Sequence, residues 1–531
     1  MSENNKNNDA PREEALSVAT GAVEDDDSPQ TDVVAGDQPI EKPKRLWLWI
    51  TFVGLVAVIA VAIAVPVSMR SQNGAAESEP TIWPRTPEGL VGLIQSRLPS
   101  VSFDNTTSPE SQALVWMTEV DTVNHDTLSD DQLIQRFAMA AIGMSINGFS
   151  DWLTSSTECS WGSDRVVCSP SGEVIGIDSG FDSLSGSIPV SIGLLTNIKR
   201  ADLWNNDLTG TIPSEVGGLT GLTLLNLDSN LLTGKIPSEV GGLTALTYLR
   251  LSSNALTGSI PSEVERLTAL NDLWLFENAL SGTIPSELGG LTWLRYLHLY
   301  NNALTGSIPS EVGGLTSLTY LQLNSNALTG SIPSDVGGLT RLQRLWLYNN
   351  ALTGTFPSMV GGLTALTELS LYENALTGTI PSEVGGLTSL AELSLYNNQL
   401  TGTIPSEVWG LTALTSLALN GNSLTGSIPS EVGGLTALTY LGLHDNHLTG
   451  TIPSEVGGLT ALARLRLYNN ALSGTIPSEL GRPPRLIVLD LHSNALSGTM
   501  PTGVCGVVPP RIDCGEIVCD CCVDSAGAQC P

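Results

Sequence analysis

Three groups of residues in this 531-residue chain are of types that carry chemistry. They are a His444–Asp445–His447 cluster, a C-terminal crowd of cysteines, and a set of aromatic and basic side chains at fixed spacing. Histidine and aspartate are metal ligands by type, but Asn446 is a buried position in the repeat register, so His444 and His447 point to different surfaces. Cys505, Cys514, Cys519, Cys521, Cys522 and Cys530 would suggest zinc or redox chemistry in the cytosol and disulfides in an oxidising compartment. Six cysteines allow fifteen pairings; the adjacent Cys521 and Cys522 are expected to take different partners. No Gly-rich phosphate loop opens a helix and no Gly-x-Ser-x-Gly occurs. The sequence therefore predicts no catalytic centre, no cofactor and no metal.

The aromatic set owes its spacing to a period. Thirteen asparagines, Asn206 to Asn494, recur every 24 residues without insertion, and fourteen prolines, Pro189 to Pro501, keep the same beat. A fixed period of this size predicts a solenoid in which each coil buries its apolar residues against its neighbours. In the coil around Asn254, Leu249 and Leu251 alternate with Tyr248, Arg250 and Ser252, the period of a strand with one buried face. Asn254 falls at an interior turn, where its amide can donate and accept. Gly258 permits a tight or positive-φ bend, Pro261 fixes φ beyond it, and the rest suits a helical turn or 3₁₀ segment.

The repeating sentence LxxLxLxxNxLTGxIPxxxGxLxx resembles the plant-type leucine-rich repeat over about residues 174–503. That resemblance implies an α/β solenoid of about fourteen coils, with a parallel sheet on the concave side and short helices on the convex side. In the first coil Asp182 takes the Asn place and Ser179 replaces a strand leucine, as suits an edge coil under a cap. Residues 86–173 show three helix starts: Thr86-Pro87, Ser108-Pro109 and Ser129 each set a capping hydroxyl ahead of apolar residues at helical spacing. This segment resembles the N-terminal cap of such proteins, which implies helices and a disulfide loop framed by Cys159 and Cys168. Residues 504–531 form a Cys-rich C-terminal cap.

The remaining chain concerns location. Residues 1–45 are polar and acidic and are expected to be a disordered cytosolic tail. Leu46 to Val67 is uncharged and long enough to cross a bilayer core of about 30 Å. Trp47 and Trp49 flank its start, and Lys42, Lys44 and Arg45 precede it, so a single-pass signal anchor is predicted, with the N-terminus cytosolic and the repeats extracellular. Residues 68–85 form a stalk. The sequon Asn105-Thr106-Thr107 is a candidate glycosylation site. A formal charge of −30 argues against nucleic acid.

Counted back from each ladder asparagine, positions minus six, minus four and minus two are the outward residues of the strand. All nine tyrosines fall at minus six or minus two. The candidate ligand-binding set on this face is Trp204, Trp274, Phe276, Tyr296, His298, Tyr300, Arg344, Trp346, Tyr348, Tyr372, Tyr396, Arg464, Arg466 and Tyr468. Aromatic rings and arginine concentrate binding energy at interfaces, although rings in strands also stack for stability. Exposed positions elsewhere stay nearly constant, as in PSEVGGLT, while these vary. In some plant peptide receptors of this fold an Arg-x-Arg pair holds a terminal carboxylate, and Arg464 and Arg466 resemble it. A ladder from Glu215 onward, departing at Met359, reads as a solvated rim. The function expected is that of a membrane-anchored, receptor-like protein binding an extracellular peptide, glycan or protein, with a possible signalling co-receptor. The alternatives are a structural or adhesive scaffold, or a secreted inhibitor of an extracellular hydrolase.

Overall fold

The computed structural model describes residues 86–149, 152–162, 165–505, 510–514, 517–519, 521–524 and 527–529. The predicted tail, anchor and stalk lie outside the described residues, as does Cys530. Among the described residues no helix is long and apolar enough to cross a membrane.

Each coil is built as its residues dictate. In the coil of Asn254, Leu249, Leu251, Leu256 and Leu267 are wholly buried, and Tyr248–Arg250 forms the strand with only its middle residue inside. Asn254 then resolves the interior turn. Its Nδ2 donates to the carbonyls of Leu227 (2.9 Å), Leu251 (3.2 Å) and Ser252 (3.0 Å), and its Oδ1 accepts from the Leu232 amide at 3.0 Å. One side chain thus pairs backbone groups of two coils that would otherwise be buried unsatisfied. Gly258 follows at φ +77°, and Ser262–Arg266 closes the coil as a 3₁₀ turn. On the convex side, a Cβ on Gly289 would come within 2.2 Å of the Glu311 carbonyl oxygen, so only glycine lets the next turn stack this closely.

Strands pair in uniform register, Leu249 with Leu273 with Leu297, into one 15-stranded sheet. Its first member, Val166–Cys168, runs antiparallel to Val174–Asp178 and closes the edge; the others are parallel. Two features were not expected. A second set of short parallel strands follows the asparagines, six of them consecutive from Thr233–Lys235 to Ala351–Leu352. In addition, the residue before each ladder asparagine is left-handed, for example Ser253 at φ 50°, Glu277 at 52° and Gly421 at 63°. Asparagine and aspartate, which fill six of these thirteen places, tolerate that conformation better than most residues.

The N-terminal cap follows its capping signals. Helices α1 (Pro87–Arg97), α2 (Pro109–Val115) and α3 (Asp130–Ser145) start at Thr86, Ser108 and Ser129, whose hydroxyls accept from Gly89, Ser111 and Gln132 amides. Arg136 of α3 is buried between Trp116 and Trp161 at 5.1 and 5.2 Å. Its guanidinium donates to Glu158 (2.7 Å), to Asp121 and to the Ser156 and Thr154 carbonyls. Cys159 and Cys168 are bonded, and Ile146–Asn147 pairs antiparallel with Ser185–Ser187 to cover the first coil. Asp182, lacking an amide, accepts from Arg165 at 3.1 Å instead. At the other end Cys505 bonds Cys521 and Cys519 bonds Cys522, so the adjacent cysteines do take different partners. Cys514 is also disulfide-bonded. Asp513 accepts from the Ser493 and Asn494 amides, taking over the part of a following coil.

Asn350 donates to the Leu323, Leu347 and Tyr348 carbonyls and accepts from Leu328. Asn350→Ala should therefore cost about 2–3 kcal/mol in urea unfolding, whereas Asn349→Ala at the exposed neighbouring position should cost less than half as much.

Candidate functional site

The hollow surface of the sheet carries three columns, one for each outward position. In-register pairing brings side chains of adjacent coils into contact at about the 4.8 Å strand spacing, and every ring in the candidate set lies on this one face. In the minus-two column Phe276 stacks on Tyr300 at 4.5 Å; Tyr348, Tyr372 and Tyr396 stack in series at 4.3 and 4.2 Å; and Tyr468 lies between His444 (4.4 Å) and His492 (4.7 Å). Trp204 meets Phe181 edge-on at 4.1 Å. In the other columns Trp274 stacks on His298 at 5.5 Å, and Tyr296 meets Tyr320 edge-on at 5.2 Å. Trp346 sits beside Tyr348 at 6.3 Å.

These positions are not simply open to solvent, as the alternation alone suggested. Stacked rings turn their faces to one another and offer edges and hydroxyls outward, so the tyrosines are half-buried. Several outward positions are covered completely: Asp272, Gln322 and His444 are 3, 5 and 6% exposed. Burial, helped by Arg344 and Arg250, pushes His298 down to about 3, and burial with Arg466 and His492 does the same for His444. Both imidazoles are therefore neutral rings in a stack at physiological pH. His444 is taken up by that stack, and His447 is exposed.

The arginines differ from one another. Arg344 pairs with Glu368 at 3.0 Å and lies 4.8 Å from the Tyr320 ring. Arg464 and Arg466 share the strand Arg464–Arg466 and so share a face, but Arg466 pairs with Asp490 at 3.5 Å. Arg464 has no ion-pair partner among the described residues.

Sequence reasoning passed over the floor of this surface. In the minus-four column Trp346 is followed by Ser370, Ser394, Ala418 and Gly442, and then by Arg466. Four small residues in a row lower the floor into a shallow trough, where Ser370, Ser394 and Ala418 are only 4, 4 and 5% exposed beneath the flanking side chains. It is walled by Tyr372 and Tyr396 on one side and by Glu368 and Glu392 on the other, and the Tyr440 ring folds over Gly442 at its far end. From Trp346 to Arg466 is five strand spacings, about 24 Å, or roughly seven residues of extended chain. The signal was present as a change from large to small side chains at one repeat position. The convex carboxylates, by contrast, accept from the preceding serine, as Glu311 does from Ser310 at 3.1 Å, and Glu479 also pairs with Arg482 at 3.3 Å.

Comparison with known proteins agrees with this geometry. Family models match residues 279–402 ("Leucine-rich repeat region"), 196–256 ("Leucine rich repeat") and 413–435 with 437–459 ("Leucine Rich Repeat"). Among solved structures, the plant peptide hormone receptor RGFR1 in complex with RGF2 is 36% identical, with a TM-score of 0.58; 63% of this chain and 58% of that one are covered. The chain thus spans less than two thirds of that receptor chain. The Arabidopsis receptor kinase HAESA ectodomain, in complex with an extended IDA peptide hormone, is 31% identical over 73% of this chain and 74% of that one, with a TM-score of 0.52. A leucine-rich repeat protein of Leptospira interrogans is 40% identical over 61% of this chain and 80% of its own, with a TM-score of 0.51. No curated protein matches.

The stack has a titration signature. Burial, with neighbouring phenols and carboxylates, pushes the Tyr300, Tyr372 and Tyr396 phenols far above the ordinary value, and Tyr468 up to about 12. A raised phenol favours the protonated folded form. Stability from this source is therefore whole below about pH 10 and is lost as pH rises toward the folded values. Ultraviolet titration should show these four tyrosines unionised at pH 11, with phenolate appearing only on unfolding or near pH 12.

Proposed function

The chain belongs to the plant-type leucine-rich repeat family, and from that premise we propose that it is a membrane-anchored, receptor-like recognition protein. Its ligand is an extracellular peptide held on the concave sheet. The trough carries this reading: an elongated floor of small residues between ring edges, hydroxyls and carboxylates is the size and chemistry of an extended peptide. Such a backbone donates and accepts along its length, and the stacked Tyr348, Tyr372 and Tyr396 rings carry their hydroxyls along one wall. Similarity to receptors crystallised with peptide hormones supports the choice of peptide over glycan. Rings already stacked face to face offer few free faces for sugars. Recognition is proposed without catalysis.

Anchoring by Leu46 to Val67 places the repeats outside the cell, and the eight cysteines support that side of the membrane. A signal leaving such a protein passes through a co-receptor. One observation favours the scaffold alternative, namely that continuous ring stacking stiffens the sheet whether or not a ligand binds.

Mass spectrometry of extracellular peptides retained by the full-length chain separates the two. Replacing Tyr300, Trp346 and Tyr348 with alanine should abolish saturable capture while the circular dichroism spectrum is kept; a scaffold would show no saturable capture before or after. Topology has its own test. Asn105 is exposed, with Thr107 donating its hydroxyl to Asn105 Oδ1 at 2.8 Å. Endoglycosidase should sharpen the electrophoretic band of the eukaryotically expressed chain, and Asn105→Gln should remove that shift. An unmodified Asn105 would count against luminal repeats.

A further inference from the structure

Charges on the hollow face come in matched sets. Arg250 donates to Asp272 at 2.7 Å with its guanidinium 3.9 Å from the Trp274 ring; Arg344 pairs with Glu368 at 3.0 Å; Arg466 pairs with Asp490 at 3.5 Å. In each set the acid stands one strand beyond the arginine, and a ring flanks the first two. Three charged residues lack the other half: Asp228, which is half-buried and accepts from the Ser252 amide and hydroxyl, and, farther along, Glu392 and Arg464. Glu392 lies opposite Glu368 on one side and Ser416 on the other. It accepts a hydrogen bond from Ser394 at 3.0 Å and has no ion-pair partner among the described residues. Arg464 lies opposite Tyr440 and Val488, likewise without a carboxylate.

This arrangement is costly to the free protein. Like charges directly opposite one another in a sheet are destabilising, and a half-buried carboxylate without a cation keeps its desolvation penalty. Burial accordingly raises the Glu392 carboxyl above the ordinary value and Glu368 adds to the effect, against the Ser394 hydroxyl and the more distant Arg344, which is already paired with Glu368. Glu392 and Arg464 cannot relieve each other. They occupy the same column with Ser416 and Tyr440 between them, three strand spacings or about 14 Å apart. Solvent screens exposed charges at that distance. Two unpaired charges of opposite sign thus face outward beside the trough, with the small Ala418 on its floor between them.

We infer that the trough is selective for an extended peptide carrying one basic side chain, seated on Glu392, and one acidic group about four residues away, seated on Arg464. Four residues of extended chain span about 13 Å, which matches the separation. Guanidinium and carboxylate are both bound most strongly as charge-assisted pairs. The inference rests on the reading of this face as a peptide site and specifies its ligand.

The test measures binding of the full-length chain to three immobilised, terminally blocked probes: Arg-Gly-Gly-Gly-Asp, Arg-Gly-Gly-Gly-Arg and Asp-Gly-Gly-Gly-Asp. The mixed probe should bind at least about tenfold tighter than either like-charged one. Glu392→Gln should remove that advantage, and Glu392→Arg should transfer it to the doubly acidic probe. Equal binding of all three, no binding of the mixed probe, or indifference to Glu392→Gln each overturns the inference. Peptide capture that depends on Tyr300, Trp346 and Tyr348 but ignores Glu392 and Arg464 would refute the charge spacing and leave the recognition reading standing. Loss of both would remove the two together.

Discussion

The fold depends on one hydrogen-bonding problem being solved once per coil. A chain that turns inside a solenoid must bury backbone amides and carbonyls that no strand or helix pairs. A buried asparagine is the economical answer, because a single amide donates from one end and accepts at the other. Since the side chain reaches into the preceding coil, each asparagine also fixes the distance and register between neighbours. Leucines then pack in layers, and the strand of every coil presents the same three positions to the hollow side. Where the ladder ends, other groups take over: Asp182 turns to Arg165 at the first coil, and Asp513 covers the last.

Register is what turns a repeating sequence into a surface with a pattern. Residues 24 apart become neighbours, so a column is read by stepping through coils. Aromatic residues on successive coils stack at 4.2–4.7 Å because in-register strands lie about one ring-stacking distance apart. Longer side chains reach across to cover short polar ones, as Arg250 of the preceding coil does Asp272. Small residues on consecutive coils lower the floor into a trough. The surface therefore combines a stiff ring wall, a low floor and a few charges, most of them satisfied internally.

Much of this was legible in the chain. Strand, buried asparagine, glycine bend and proline repeat with too little variation to be mistaken, and the three helix starts were carried by local capping residues. Anchoring and extracellular placement rest on residues 1–85 and stay at the level of composition. The second sheet was missed because its strands are short, polar and defined by pairing with the next coil rather than by apolar alternation. The left-handed residue before each asparagine was missed for a related reason, although the run of Ser, Asn, Asp and Gly there was the clue. Tyr300 and Trp346 were singled out by their type. Ser370, Ser394, Ala418 and Glu392 were not, since a small residue or a lone carboxylate has meaning only against its lateral neighbours. Arg464 and Arg466 looked equivalent until the structure gave Arg466 to Asp490.

The most direct test of the central claim, recognition on the hollow face, is hydrogen exchange of the full-length chain with and without a captured peptide. Protection should appear in the strands from Arg344–Trp346 to Arg464–Arg466 and be absent from convex turns such as Ser310–Gly314. Protection confined to the convex turns, or to the second sheet, would contradict it.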